Sequence, residues 1–381
     1  MARVDYLFPV REGNQFDLIV DGDACFNAML DAIGSARQCI LIEQYLVESG
    51  WVVSGLVDAL GKAACRGITV YMLLDDFGSS GLRLSDRSRL EDAGVRLRFY
   101  NPVHFRHWFN NLFRDHRKLL VVDGELGFVG GAGLADAFSQ ERSGALAWKD
   151  VMLKIRGRVV RDWCELFSWT WKETTTEDVV LPEWPANESP GYQSGRVLVS
   201  APFHRLEISR ALIRQMRKAK QRIWITSPYF VTSRKIRRIL GQAAFRGVDV
   251  RLLLPGVKSD HPWVTFASRR HYGGLLAEGI RIFEYQPRFT HAKIELCDHW
   301  VSIGSSNLDR WNQSWNLDAN QTVIDEEFAH RVAAFFVQDF SDSREITTLF
   351  WKERSFASRL GEALSGVLVN GLQHLIRRRR P

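Results

Sequence analysis

The chain has 381 residues, of which 45% are hydrophobic and 25% are charged, as is typical of a soluble globular protein rather than a disordered one. Lys and Arg outnumber Asp and Glu by 51 to 44, and this net charge of +7 favours an anionic partner: a phospholipid surface, a nucleic acid or a phosphorylated substrate. The five scattered cysteines argue against a disulfide framework or a structural zinc site, and we expect neither a signal peptide nor a membrane-spanning helix.

The predicted elements of the first half recur in the second half. In chain order the pattern predicts a strand, then a helix that ends at Arg-Gly before a buried strand, then a helix that ends at Gly before another strand. These segments are 39–47, 60–74 and 90–102, and their counterparts are 222–231, 240–254 and 275–287. The match is clearest between "LGKAACRGITVYMLL" and "LGQAAFRGVDVRLLL". Strands that alternate with helices predict an α/β architecture.

We therefore predict an α/β fold of two related units, each a mixed β-sheet flanked by helices. The units are expected to face each other across a pseudo-twofold axis, with the active site at their interface. The predicted limits are 16–171 for the first unit, 172–195 for an exposed Pro-containing linker, 196–345 for the second unit and 346–381 for a basic amphipathic tail.

Each unit then carries the same short pattern: His, any residue, Lys, four residues, Asp. The two copies are His116, Lys118 and Asp123 in "HRKLLVVDG", and His291, Lys293 and Asp298 in "HAKIELCDH". A His and a Lys two residues apart on a strand share a face of the sheet. Duplication at equivalent places, followed both times by a glycine-containing turn, is far more specific than one copy. We predict that all six residues are catalytic.

A further carboxylate follows each copy, Asp150 in the first unit and Asp318 in the second. Each is expected to return beside the histidine of its own unit, where it would fix the imidazole tautomer and raise its basicity. The lysines, helped by Ser305, Ser306 and Asn307, would offset charge on phosphoryl oxygens, so no metal and no cofactor are expected.

These residue types suit a phosphodiester substrate. One histidine attacks phosphorus, and the other protonates the departing alcohol and then activates an incoming hydroxyl. The residues alone do not decide which histidine is the nucleophile, because the two half-sites are chemically alike.

The paired pattern with its trailing glycine turn resembles the signature of the phospholipase D superfamily. The surrounding residues, roughly 11–345, resemble bacterial cardiolipin synthases, in particular the B-type enzymes without N-terminal spanning helices. This resemblance implies a phosphatidyltransferase that joins two phospholipids and works through a phosphohistidine. Phosphatidylglycerol would be the donor and phosphatidylglycerol or a related lipid the acceptor, with phosphatidylethanolamine as a further candidate participant. It also implies His116 as nucleophile and His291 as general acid and base.

Three features depart from the pattern of that family. Gly133 stands where the family has Asn, although the second unit keeps Asn307, and we expect the loss to weaken phosphate binding or lysine orientation in the first half-site. The second copy is one residue shorter between Asp298 and Gly304 than the first copy is at the equivalent place. Asp318 stands where this group more often has Glu.

Two segments predict contact with an anionic membrane surface. Residues 101–114 mix aromatic rings with arginines and histidines, and residues 363–376 place apolar side chains at helical spacing before a run of four arginines. The predicted membrane contacts are Trp108, Phe109, Leu368, Leu372, Arg377 and Arg378. The alternative for both segments is ordinary packing against the domains.

We therefore expect a peripheral enzyme on the cytoplasmic face of the bacterial inner membrane. One alternative is a hydrolase of the same superfamily that acts on phospholipid or nucleic acid. Nucleic acid is not an expected partner, because the sequence offers few strands that alternate aromatic and basic residues. The other alternative is a catalytically silent membrane-binding protein, which Gly133 would explain.

Overall fold

The structure, a computed structural model, describes residues 7–104, 110–182, 189–202, 205–256, 258–309 and 315–354. Its strands are β1 Arg11–Val20, β2 Cys39–Gln44, β3 Thr69–Asp75, β4 Arg96–Tyr100, β5 Arg114–Asp115, β6 Lys118–Val122, β7 Leu126–Gly130, β8 Val151–Arg156, β9 Gln193–Ala201, β10 Arg205–Leu206, β11 Arg222–Thr226, β12 Asp249–Pro255, β13 Arg281–Tyr285, β14 Ile294–Cys297, β15 Trp300–Gly304, β16 Asn316–Ile324 and β17 Ser343–Ile346. Its helices are α1 Gly22–Gly34, α2 Trp51–Cys65, α3 Leu84–Asp92, α4 Gln140–Ser143, α5 Val159–Thr175, α6 Glu207–Lys218, α7 Arg234–Phe245, α8 Pro262–Arg269, α9 Tyr272–Ala277, α10 Glu326–Ser341 and α11 Thr348–Glu353.

The two halves of the chain build the same mixed sheet. In the first half the strand order is β4-β3-β2-β6-β7-β8-β1, and in the second half it is β13-β12-β11-β14-β15-β16-β9. In both sheets the first three strands are parallel and the others follow antiparallel. Strand β1 also pairs with β9, which joins the two sheets. The predicted α/β fold with two repeated units is confirmed.

The Arg-Gly stops predicted after the second helix of each half are present. Helices α2 and α7 end one residue before Arg66 and Arg246, and the glycines that follow, Gly67 and Gly247, have φ of 85° and 86°. Glycine adopts this left-handed conformation without steric cost, so it ends a helix and turns the chain into the next strand. The strands predicted at 39–47 and 222–231 are shorter in the structure, because β2 ends at Gln44 and β11 ends at Thr226.

Side chains of each sheet alternate between two cores. In β2, Ile40 and Ile42 pack with α1 and α2 on the outer face, whereas Leu41 faces a central core. Both sheets contribute to this central core, together with side chains of α5 and α10 such as Trp163 and Phe336. Because both faces of each sheet are buried, its central strands read as almost continuous apolar runs.

The predicted domain limits stay a prediction, but the elements at their borders differ from it in two places. Helix α5 continues to Thr175 and β9 already begins at Gln193, so the connection is shorter than the predicted linker. The start of the predicted tail is packed, since the ring of Trp351 in α11 lies 5.1 Å from that of Tyr272.

The remainder of that tail, residues 355–381 with Leu368, Leu372, Arg377 and Arg378, lies outside the described residues, as do Trp108 and Phe109. Within the part of the chain that the structure describes, no helix is both long enough and apolar enough to cross a membrane.

Candidate active site

The first half-site forms where three parallel strands end. Gln44, the last residue of β2, pairs with Lys118, the first residue of β6, so His116 and Lys118 lie beside the loops that follow β2, β3 and β4. The second half repeats this arrangement, because Thr226 at the end of β11 pairs with Ile294, next to Lys293. We call this side of both sheets, with the loops after β2, β3, β4, β11, β12 and β13, the catalytic edge.

Backbone hydrogen bonds between the two units hold the histidines in place. The His116 N–H donates to the carbonyl of Leu317 at 2.9 Å, because β5 pairs with the start of β16. Correspondingly, the His291 N–H donates to the carbonyl of Lys149 at 2.7 Å. Since Leu317 precedes Asp318 and Lys149 precedes Asp150, each histidine is aligned with the carboxylate of the other unit.

The two histidine–carboxylate pairs therefore cross the interface. Nδ1 of His116 lies 3.0 Å from Oδ1 of Asp318, and Nδ1 of His291 lies 2.6 Å from Oδ2 of Asp150. Both carboxylates are fully buried. The expectation that each aspartate serves the histidine of its own unit is wrong. The pairing of β5 with β16, and the β-bridge between Lys149 and Thr290, place the carboxylate of the other unit beside each histidine. Nε2 of His116 is left for the substrate, whereas Nε2 of His291 lies 3.1 Å from Nζ of Lys293, which a substrate phosphate would have to draw away.

The lysines lie directly beneath the histidines. Lys118 Nζ donates to the His116 carbonyl at 2.5 Å, and Lys293 Nζ donates to the His291 carbonyl at 2.6 Å. The ring of Tyr45 packs 4.9 Å from the His116 ring and 5.1 Å from Lys118 Nζ. Two buried ammonium groups at one interface make a site that favours an anion.

Burial and mutual repulsion lower the pKa of all four groups. Burial, with the positive charge of Lys118, lowers the pKa of His116 to about 4, and burial with Lys293 lowers the pKa of His291 well below its usual range. Burial and the neighbouring Lys293 lower the pKa of Lys118 to about 7, while burial lowers the pKa of Lys293 to about 8. A bound phosphodiester would relieve this repulsion, since its negative charge favours both ammonium groups.

The two carboxylates differ in their protonation. Burial alone would raise the pKa of Asp318, but hydrogen bonds from His116 and from the Ser305 hydroxyl, at 2.7 Å, lower it below its usual range. Burial raises the pKa of Asp150 to about 7, and its neighbour at the place of Ser305 is Gly131, which offers no hydroxyl. The half-sites are therefore unlike in charge although they share one pattern.

The residues predicted to bind phosphate occupy the turn after β15. Ser305 donates to Asp318 rather than pointing to a phosphate, and the Ser306 N–H donates to Oδ1 of Asn320 at 3.2 Å. The side-chain oxygen of Asn307 is buried and has no hydrogen-bond partner among the described residues. The Asn307 side-chain oxygen is therefore available to a ligand.

Gly133 occupies the place equivalent to Asn307 in the first unit. A Cβ added there would lie 2.8 Å from Cβ of Leu46 and 3.1 Å from its carbonyl oxygen. The loop after β2 therefore fills the volume that an Asn side chain would need. Only a residue without a side chain fits at position 133, so Gly133 is required by the packing of this half-site.

Asp123 and Asp298 lie away from the histidines. Each follows its strand at a left-handed φ of 53° and accepts hydrogen bonds from three consecutive backbone N–H groups, residues 37–39 for Asp123 and residues 220–222 for Asp298. Asp123 stands five positions after Lys118, which is about 16 Å along a strand. We correct their predicted catalytic role and propose that both carboxylates hold the turns at the opposite edge of the sheets.

Sequence reasoning missed the aromatic rings that surround His291. Phe138, Trp148 and Phe289 lie with ring centroids 5.5 to 5.9 Å from the imidazole. A signal was available, because Phe289 stands two residues before His291 and Trp148 stands two residues before Asp150, a spacing that places side chains on one face of a strand. The rings enclose His291 on one side, whereas His116 has the single neighbour Tyr45 among the described rings.

Among the described residues, no group of three or more His, Cys, Asp and Glu side chains is arranged to hold a metal ion. That the reaction needs no metal and no cofactor stays a prediction.

Comparison with known proteins agrees with this arrangement. The family model of the PLD-like domain of cardiolipin synthase matches residues 29–159 and 212–340. Cardiolipin synthase A of Pseudomonas putida (strain W619) is 35% identical over 346 residues, which are 89% of this chain and 71% of that relative. Cardiolipin synthase A of Pseudomonas aeruginosa (strain LESB58) is also 35% identical, over 89% of this chain and 69% of its own.

Solved structures are similar in fold at low sequence identity. The crystal structure of phosphatidylserine synthase from Haemophilus influenzae Rd KW20 superimposes with a TM-score of 0.71 at 12% identity, covering 96% of this chain and 94% of that one. Polyphosphate kinase from Porphyromonas gingivalis superimposes with a TM-score of 0.60 at 16% identity, over 95% of this chain and 53% of its own. These likenesses show the shared two-unit fold.

Proposed function

This chain belongs to the PLD-like cardiolipin synthase family, and from that premise we propose that it transfers a phosphatidyl group between two phospholipids to make cardiolipin. Phosphatidylglycerol is the donor, and a second phosphatidylglycerol or a related lipid with a free headgroup hydroxyl is the acceptor. Phosphatidylethanolamine, whose headgroup ends in an amine, would take part only as a donor. The observation that carries the proposal is the pair of histidines that are each bonded to a buried carboxylate across the interface, above two buried lysines.

In the first step His116 acts as the nucleophile. Asp318 is ionised and accepts the Nδ1 proton, so the lone pair on Nε2 is free to attack phosphorus. The P–O bond to the headgroup glycerol breaks as the P–N bond forms, which gives a phosphatidyl-histidine. Lys118 and Lys293 offset the charge that develops on the phosphoryl oxygens.

His291 supplies the proton for the leaving glycerol. Because the pKa of Asp150 is raised to about 7, about half of the carboxyl is protonated at neutral pH, and in that form it donates to Nδ1 of His291 and leaves the ring proton on Nε2. That proton passes to the glycerol alkoxide as it leaves, while the Asp150 proton moves onto Nδ1. The unlike protonation of the two pairs favours His116 as nucleophile and His291 as acid.

The second step reverses the first. Nε2 of His291 takes the proton from a hydroxyl of the acceptor lipid, whose oxygen attacks phosphorus and displaces His116. The Nδ1 proton returns to Asp150, so that both pairs regain their starting state. Water in place of the lipid hydroxyl would give phosphatidic acid, and the aromatic rings of Phe138, Trp148 and Phe289 beside His291 disfavour a free water layer there.

The experiment is a product analysis with phosphatidylglycerol that carries a labelled headgroup, in mixed micelles that contain a chelator. We expect cardiolipin and free glycerol in a ratio of one to one. Phosphatidic acid as the main product would identify a hydrolase, and the absence of any product from the wild-type protein would support a silent membrane-binding protein.

Two finer predictions accompany this proposal. We propose that the protein works peripherally on the cytoplasmic face of the bacterial inner membrane, which its net charge of +7 and the arginine run at 377–380 support. The closer likeness to B-type enzymes stays a prediction, since the relatives compared above carry the name cardiolipin synthase A.

A further inference from the structure

Large apolar side chains stand exposed in several loops and short or starting helices that follow strands at the catalytic edge. Phe77 follows β3 and is 59% exposed, Leu84 begins α3 and is 78% exposed, and Trp263 begins α8 after β12 and is 51% exposed. Trp51, Leu146 and Phe266 are also exposed. We call these six residues the apolar rim. Single exposed hydrophobic residues are ordinary on a protein surface, but six of them in segments that follow the strands at one edge of the sheets need a reason.

The rim residues are linked to the catalytic edge through neighbouring residues. The loop that holds Phe77 packs on the loop after β2, where the Val47 N–H donates to the Gly78 carbonyl and Tyr45 contacts the His116 ring. Leu146 stands two residues before Trp148, whose ring contacts that of His291. In the second unit the ring of His261 lies 6.0 Å from Trp263 and 6.0 Å from Tyr229 in the loop after β11. Both units thus contribute rim residues to the catalytic edge.

The burial of the two histidines indicates a function for the apolar rim. His116 and His291 are each 7% exposed, so a lipid phosphodiester must leave the plane of its bilayer or the protein must approach that plane. Apolar side chains that enter the acyl boundary bring the opening to the headgroup level. The Arg142 guanidinium, stacked 4.1 Å over the Trp51 ring, adds a cation where phosphates would lie.

We propose that the apolar rim is the surface with which this protein enters a phospholipid bilayer, so that the opening above the two histidines faces the lipid headgroups. This proposal rests on the proposed function, because a lipid substrate is the reason to enter a bilayer. Vesicle binding can nevertheless be measured whether or not the protein makes cardiolipin. The proposal assigns membrane contact to residues of both units other than those for which the sequence predicted it.

The test compares rim and control variants in vesicle sedimentation. The vesicles contain phosphatidylglycerol and phosphatidylethanolamine, and the buffer contains enough salt to screen attraction by the arginine tail. Replacing Phe77→Ser and Trp263→Ser together is expected to weaken partitioning roughly 10- to 100-fold, since each side chain is about half exposed and gains about half of its full burial energy. The matched control is Phe245→Ser at the distant end of α7, which is 94% exposed and should leave partitioning unchanged.

Site-directed labelling reads insertion directly. Cys65 is exposed and the other four cysteines are buried, so Phe77→Cys or Phe245→Cys on a Cys65→Ser background carries one environment-sensitive dye. Added vesicles should raise dye emission several-fold at position 77 and leave it unchanged at position 245. Equal responses at the two positions, or equal partitioning of the double variant and the wild type, would overturn the proposal.

Activity separates this inference from the proposed function. In detergent micelles, where no bilayer has to be entered, the Phe77→Ser, Trp263→Ser variant should make cardiolipin at the wild-type rate. If the wild type makes none, the proposed function fails while the binding result still stands. If instead a second copy of the chain covers the rim, the variant will change oligomeric state in size-exclusion chromatography without a change in vesicle binding, which would also overturn the proposal.

Discussion

Replacing Asp318 by Ala removes the carboxylate that accepts the Nδ1 proton of His116 across the interface. The pair is 3.0 Å apart and the carboxylate is fully buried. A hydrogen bond to a charged, buried partner contributes about 1.5 to 3 kcal/mol, which corresponds to a loss of about 10- to 150-fold in the rate of attack on phosphorus. Asp150→Ala acts on the other histidine, whose proton transfer is worth on the order of 100- to 10,000-fold.

A substrate with a good leaving group distinguishes these two effects. The ester of phosphatidic acid with p-nitrophenol releases a phenolate that needs no proton from His291. Release of p-nitrophenol in a single turnover should therefore be restored close to the wild-type rate in Asp150→Ala and in His291→Ala. It should stay slow in Asp318→Ala and absent in His116→Ala, because formation of the P–N bond is impaired there.

The reasoning would be refuted if the activated ester rescued Asp318→Ala and left Asp150→Ala slow. That result would mean that each carboxylate serves the histidine of its own unit in the active protein, or that His291 is the nucleophile. Circular dichroism spectra and melting temperatures of all four variants serve as the control for intact folding.

Three further predictions concern the turn, the pH dependence and the glycine at 133. Asp123→Ala leaves three backbone N–H groups without their charged acceptor and should lower the free energy of unfolding by about 2 to 3 kcal/mol in a urea titration, with little change in the rate per folded molecule. Because the pKa of Asp150 is raised to about 7, its proton is present below that pH and lost above it, so the rate on phosphatidylglycerol should fall as pH rises through about 7 to 8, and Asp150→Asn should lack this decline. Gly133→Asn restores the residue of the family but places Cβ 2.8 Å from Leu46, so it should lower the melting temperature and the activity.

Each of these predictions has a matched comparison. Glu125→Ala changes a partly exposed acid in the same turn as Asp123 and should cost less than about 0.5 kcal/mol, so an equal loss in both would contradict the role of Asp123. A decline near pH 7 that persists in Asp150→Asn would point to Lys118, whose pKa is also lowered to about 7. For Gly133 the comparison is Gly55→Ala in α2, where an added Cβ meets nothing within 4 Å, and a gain of activity in Gly133→Asn would show that the amide was missing after all.

The repeat allowed the sequence to predict the fold. Two copies of a helix, an Arg-Gly stop and a strand are local patterns, and residues 60–74 and 240–254 carry them almost unchanged. The same repeat identified His116, Lys118, His291 and Lys293, because a strand places alternate side chains on one face. Both predictions depend on the alternation of side chains along a strand and on the order of elements along the chain, and both can be read from a sequence.

Which histidine pairs with Asp150 and which with Asp318 depends on contacts between distant parts of the chain, and a sequence does not show these contacts. Which carboxylate lies beside which histidine is decided by β5 inserting beside β16 and by the bridge between Lys149 and Thr290, and both contacts join distant units. Asp123 was misassigned for a different reason. Its place five residues after Lys118 already puts it at the far end of the strand, so the geometry of a strand was enough to exclude it from the site.

The most direct test of the central claim is to locate the phosphatidyl group on the protein. His291→Ala is mixed with the p-nitrophenyl ester, quenched within one turnover at alkaline pH, where phosphohistidine survives, and digested for mass spectrometry. We expect one phosphatidyl group on the peptide that contains His116 and none in the His116→Ala, His291→Ala double variant. Attachment at any other residue, or formation of cardiolipin by the wild type without a covalent intermediate, would contradict it.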